Sequence, residues 1–198
     1  MASTINASTS AGGGIVQTAD ASGVLALQGA SVTVATATST GFQVNTYSPA
    51  TSLITSATVV TVSGTSVDFT GIPSWVRRIT VMFQGVSTSG TSRVMVQLGD
   101  SGGVETTGYT GAINEAITFT TGFLLAGTAA ADTRTGTMII TNLTANTFTE
   151  ISNNFTATTS VFFGAGSKTL SATLDRVRIT TVNGTDTFDA GSINILYE

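Results

Sequence analysis

The sequence predicts an all-β fold: an antiparallel β-sandwich, jelly-roll-like, preceded by an extended, low-charge N-terminal arm. Three observations predict it. Threonine makes up about a fifth of the 198 residues, and β-branched side chains favour strands. Within residues 63–198, apolar and polar residues alternate in short runs, which is the strand signature. Clusters of Gly, Asn, Asp and Ser separate those runs. Strong helix formers are scarce, with four glutamates and a single lysine, and no helical period extends beyond a turn or two.

Residues 1–62 form the first region. They contain one charged residue, Asp20, and two aromatics, Phe42 and Tyr47. A stretch so rich in small residues buries too little apolar surface alone to offset its chain entropy. It still carries short apolar clusters at Ile15-Val16, Val24-Leu25-Ala26-Leu27 and Val32-Thr33-Val34. These read as strand-like segments that need a partner surface, whether the rest of the chain, copies of it or another protein.

The texture changes near Val59. Residues 63–198 hold twelve of the fourteen aromatics and all seven basic residues, so this region can build a core. Strands are predicted at Ile79–Phe83, Val94–Leu98, Ile117–Thr121, Thr137–Thr141, Thr147–Ser152, Val161–Phe163, Thr169–Leu174, Val177–Val182 and Ile193–Tyr197. Turns are predicted at 63–66, 87–92, 99–103, 183–186 and 189–191, where Gly and Asn supply left-handed backbone. Phe83, Phe119, Phe123, Phe162 and Phe163 sit in apolar runs and are expected in the core. Trp75, after Pro73 at the mouth of a strand, is expected to lid that core. Tyr109, in the polar string TTGYTGA, is the aromatic expected at the surface.

Composition limits the chemistry. Histidine and cysteine are absent, which removes the commonest general base and thiol, and the usual metal ligands. Seven basic against eleven acidic residues give a net charge of -4, which argues against a nucleic-acid footprint. No apolar run approaches the ~20 residues of a membrane span, and no signal-peptide pattern opens the chain.

Two strings imitate catalytic motifs. Gly99-Asp100-Ser101-Gly102-Gly103 spells the local sequence around a chymotrypsin-like nucleophile, but without histidine it reads as a glycine-rich hairpin. Gly164-Ala165-Gly166-Ser167-Lys168-Thr169 approaches a phosphate loop but has Ser167 between glycine and lysine and no helix after it. It reads as a strand connection with an exposed lysine. Asp100 with Glu105, and Asp186 with Asp189, are the acid pairs close in sequence. Neither matches a glycosidase or calcium signature, and turn chemistry accounts for them. Arg176 and Arg178 share one strand face and are expected to pair with acids such as Asp175 or Asp189. No catalytic, metal or cofactor residue is assigned.

Residues 12–28 (GGGIVQTADASGVLALQ), 69–92 (FTGIPSWVRRITVMFQGVSTSGTS) and 167–198 (SKTLSATLDRVRITTVNGTDTFDAGSINILYE) resemble segments of tail-fibre and other virion-appendage proteins of tailed bacteriophages. The resemblance implies a virion structural protein without enzymatic activity, assembled as a homotrimer. Residues 1–62 would anchor it to other tail or capsid proteins, with Ile15, Val16, Val24, Leu25 and Leu27 as assembly residues. The β-domain, 63–198, would contact a host glycan or protein through loop 99–115, carrying Asp100, Glu105, Tyr109 and Asn114. A capsid decoration protein or head fibre is the alternative, since the chain has little length for a shaft, and a glycan depolymerase is a third reading. No nucleic acid and no membrane insertion are expected.

Overall fold

A computed structural model describes residues 25–29, 32–38, 41–44, 54–55, 59–60, 64–114, 117–156 and 160–198, the backbone alone before residue 64. The chain divides into two compact units, Met1–Thr51 and Ser52–Glu198. In the first, β1 (Leu25–Gly29), β2 (Val32–Thr38) and β3 (Gly41–Val44) form an antiparallel three-stranded sheet. Of the arm expected over 1–62, these three strands and, in the second unit, Ile54–Thr55 and Val59–Val60 are described, the latter two paired with the last strand of the β-domain; the rest lies outside the described residues.

The second unit is all β among its described residues. Its strands are β4 (Ile54–Thr55), β5 (Val59–Val60), β6 (Ser66–Thr70), β7 (Arg78–Thr88), β8 (Val94–Asp100) and β9 (Gly103–Val104). They continue with β10 (Tyr109–Ile113), β11 (Ile117–Phe119), β12 (Phe123–Leu124), β13 (Arg134–Thr144), β14 (Thr147–Thr156), β15 (Ser160–Thr169), β16 (Leu174–Thr181) and β17 (Phe188–Tyr197). The larger sheet runs β11-β10-β15-β14-β13-β7-β17-β4, with β5 also on β17. It is antiparallel and curls into a half-barrel. The smaller sheet runs β12-β8-β16-β6, with β9 on β8. Most connections between β6 and β17 cross from one sheet to the other, the habit of jelly-roll-like sandwiches. No helix of the described residues is long and apolar enough to cross a membrane.

Alternation builds the core. Ile79, Val81 and Phe83 of β7 point inward with Ile193 and Ile195 of β17, and meet Val96, Leu98, Val177 and Ile179 from the smaller sheet in one buried cluster. Strand β8 is buried along its whole length, because β16 lies on one side and β12 and β9 on the other.

Three stretches depart from the expected elements. The Gly164–Lys168 string is not a connection: β15 runs straight through it, paired with β14 on one side and β10 on the other. Its glycines are needed there, because a Cβ on Gly166 would lie 2.7 Å from the Phe119 ring and one on Gly164 would lie 2.5 Å from Ser152 Oγ. The expected strand Thr169–Leu174 is broken instead: residues 170–173 are the turn that joins β15, ending at Thr169, to β16, starting at Leu174. The expected loop 99–115 is mostly paired backbone, since β9 and β10 occupy it.

Candidate functional site

The smaller sheet's β8–β9 hairpin closes through Ser101-Gly102, with Asp100 opposite Gly103. Gly103 has φ 133°, a conformation that glycine takes readily. The hairpin reading of this string therefore holds. Asp100 accepts the Gly102 N–H at 2.8 Å and the Ser171 hydroxyl at 2.7 Å. Those bonds, the Ser171 hydroxyl first, hold its carboxyl below the usual range.

Three of the four expected contact residues converge here: Asp100 and Tyr109 are buried and Glu105 is half-buried. Glu105 accepts the Ser171 N–H at 2.7 Å and forms an ion pair with Lys168 Nζ. Burial pushes the Glu105 carboxyl up, but Lys168 and Ser171 outweigh it and leave it below the usual range. Lys168 is buried rather than exposed, because it faces Tyr109 in the β10–β15 register. Its Nζ also donates to Thr169 O at 2.8 Å and lies 5.3 Å from the Tyr109 ring centroid.

Tyr109 is not a surface aromatic: it is 1 % exposed. Its hydroxyl accepts the Leu98 N–H at 2.7 Å and donates to Glu105 O at 3.0 Å. Burial drives its phenol far above its usual range. Its ring meets Phe123 edge-on at 5.0 Å, and Phe123 meets Phe119 in the same way at 5.9 Å. The cluster thus ties β8, β9, β10 and the β15–β16 turn together. Both carboxylates already accept bonds from the chain's own donors, so its chemistry is that of a clasp.

Asn114 is placed elsewhere. It is exposed at the end of β10 with φ 48°, a left-handed position that asparagine tolerates. Its N–H donates to Phe163 O at 3.0 Å and its Oδ1 accepts the Phe163 N–H at 3.2 Å. Phe163 is 62 % exposed and so is not core, whereas Phe162 packs partly against the core. Consecutive strand residues point to opposite faces, so only one of the pair could go inward. Phe83, Phe119 and Phe123 are buried as expected. Trp75 stays about one-third exposed, beside Tyr197.

Ile15, Val16 and Val24 lie outside the described residues. Leu25 and Leu27 sit on β1, opposite Ala37 and Ala35 of β2. The acid pair Asp186 and Asp189 is taken up separately, Asp186 by Ser92 N–H and Asn183 Nδ2, Asp189 by the Ser87 hydroxyl. No group of three or more acidic residues among those described could hold a metal ion. Arg176 pairs with Asp175, as expected, while Arg178 pairs with Asp68, its register partner on β6.

Two buried charges escape a reading by composition. Arg134 is fully buried and donates to the carbonyls of Ala126, Gly127 and Asp132 at 3.0, 2.9 and 3.3 Å. Glu150 is 2 % exposed, and neither of its carboxyl oxygens has a hydrogen-bond partner. Burial pushes its carboxyl up to about 7, against the opposing influence of Ser152. One signal was present for Glu150: it shares parity with Phe148, and so shares its inward face. The chain matches no family model, no curated protein and no solved structure.

Proposed function

We propose that this chain is a structural protein of a tailed-bacteriophage particle, a short tail fibre or adhesin with no catalytic step of its own. The N-terminal region attaches it to the particle and the β-sandwich contacts the host surface, in a homotrimeric assembly. One observation carries the reading. The appendage-like segments 69–92 and 167–198 are far apart in sequence, yet they contribute neighbouring strands in both sheets: β7 pairs with β17, and β6, which ends at Thr70, pairs with β16. The resemblance therefore falls on the frame of the sandwich rather than on scattered surface strings.

We take host contact to fall on side chains other than the buried Asp100 and Tyr109. Asn114 is the member of the set that stays exposed. The test is to locate the chain on particles of the phage that encodes it, using an antibody in electron microscopy, and to compete adsorption with the purified protein. Label at the tail and reduced adsorption are expected. Label spread over the capsid, with particles weakened when the protein is removed, would replace the adhesin by a decoration protein. Shortened host polysaccharide after incubation with the purified chain would overturn the non-enzymatic reading.

A further inference from the structure

Strands β10, β13, β14 and β15 invert the usual polarity of a sandwich sheet. Their charged residues are Arg134, Glu150 and Lys168, and all three are buried on the core side. The solvent side carries no charge, and large apolar side chains stand on it among threonines. Ile139, Ile151, Ala165 and Ala112 stand opposite one another in a single cross-strand row. Phe163 and the register pair Phe155 and Val161 continue the patch on one side of this row. Seven large hydrophobics are exposed among the described residues, and five of them lie on β13, β14 and β15. Apolar residues on both faces are the mark of a sheet covered on both sides, and a patch of this kind on a folded surface marks an interaction site.

We propose that this outer face packs against a second copy of this chain. Charge argues for that occupant. The chain carries a net charge of -4, yet among the described residues of these four strands no charged side chain stands on this face, so two copies meet here without like-charge repulsion. A charged partner would find no counter-charge. The polar groups around the patch include Thr137 and Asn153, and hydroxyl and amide groups both donate and accept, so they can bond to their own kind. Size agrees as well. Three strands of ten or eleven residues and the five-residue β10, at ~4.8 Å spacing and ~3.3 Å rise, give a face of roughly 15–20 Å by 30 Å that is about half as long along β10. With side-chain relief, that approaches the roughly 800 Å² per partner of a standard interface.

Light scattering of the full chain over a hundredfold concentration range, starting near about 1 μM, tests this. The expected mass is at least twice the 20.0 kDa of one chain. Phe163→Asp and Ile151→Asp should each raise the dissociation constant at least about 100-fold with an unchanged circular dichroism spectrum. Val182→Asp, at an exposed apolar site in the turn just after β16, should keep the wild-type mass. Because the chain has no cysteine, Thr137→Cys gives a milder probe. Its alkylation by a maleimide should be slower than in the Phe163→Asp background at the same concentration. A wild-type mass of one chain throughout, or Asp variants that keep the wild-type mass, would overturn the proposal. So would a Thr137→Cys thiol that reacts as fast in the otherwise wild-type chain as in the Phe163→Asp background.

Discussion

Lys168 and Glu105 form an ion pair across β15 and the segment after β9, with the lysine side chain 5 % exposed and the glutamate 22 %. Removing one partner leaves the other charge poorly solvated. Glu105→Gln should therefore cost about 3 kcal/mol in urea unfolding. The double variant Glu105→Gln with Lys168→Met should recover much of that loss, because no buried charge remains. Equal losses in the single and double variants would show that the pair itself is not coupled.

Glu150 should make stability fall as pH rises. Its carboxyl titrates near 7 in the folded chain against an ordinary 4.5, so between those values the folded state holds a proton that the unfolded state has released. Stability should fall across that window and be lower by about 3 kcal/mol above it. Histidine and cysteine are absent, so no side chain that ordinarily titrates near neutrality obscures the effect. Denaturation midpoints from pH 4.5 to 8 should slope downward in the wild type and flatten in Glu150→Gln. Asp100, Glu105 and Asp186, whose pKa values are lowered, act oppositely: their contribution is present above the ordinary carboxylate range and is lost as pH falls through their folded values.

Tyr109→Phe tests whether the hydroxyl is structural. The change strands the Leu98 N–H that the phenol accepts at 2.7 Å, which should cost about 1–3 kcal/mol. Binding to host cells, measured well below the unfolding transition, should not change. A stable variant with lost binding would return Tyr109 to the contact surface.

Gly111→Ala should prevent or severely weaken folding. A Cβ there would lie 2.4 Å from Ala165 O and 2.6 Å from Gly166 Cα, both backbone atoms of the paired strand. Backbone cannot step aside without breaking the β10–β15 ladder. Loss of soluble protein, or a destabilisation above about 3 kcal/mol, is expected. Near-wild-type stability would mean that β10 does not pair in this register.

Ala145→Gly should stabilise the β13–β14 hairpin. Ala145 holds φ 45° in that turn, a conformation strained for alanine and free for glycine. The gain, net of the extra chain entropy of glycine, should be about 0.5 kcal/mol in chemical denaturation.

Much of the strand set was legible because local period carried it. Ile79–Phe83 and Ile193–Tyr197 lie within β7 and β17, and Val94–Leu98 within β8. The GDSGG hairpin was legible for the same reason, since turn chemistry is local. The glycine-rich run 164–168 was not, because it has no alternation to read and becomes a strand only through its neighbours β14 and β10. The candidate site suffered in the same way. Asp100, Glu105 and Tyr109 converge in space, but polar surroundings in sequence pointed them to the surface, whereas Asp100 and Tyr109 are buried.

Composition and alternation were enough to establish the all-β class, the charge-poor N-terminal region and the absence of histidine and cysteine chemistry. Tertiary structure decided direction. It turned Tyr109 and Lys168 inward, left Phe163 outside beside Phe162, and placed Glu150 in the core while Ile151 faces solvent. The reason is the two-residue period of a strand. A shift of one residue in register exchanges every side chain between faces, and register is set by contacts between residues far apart in the chain.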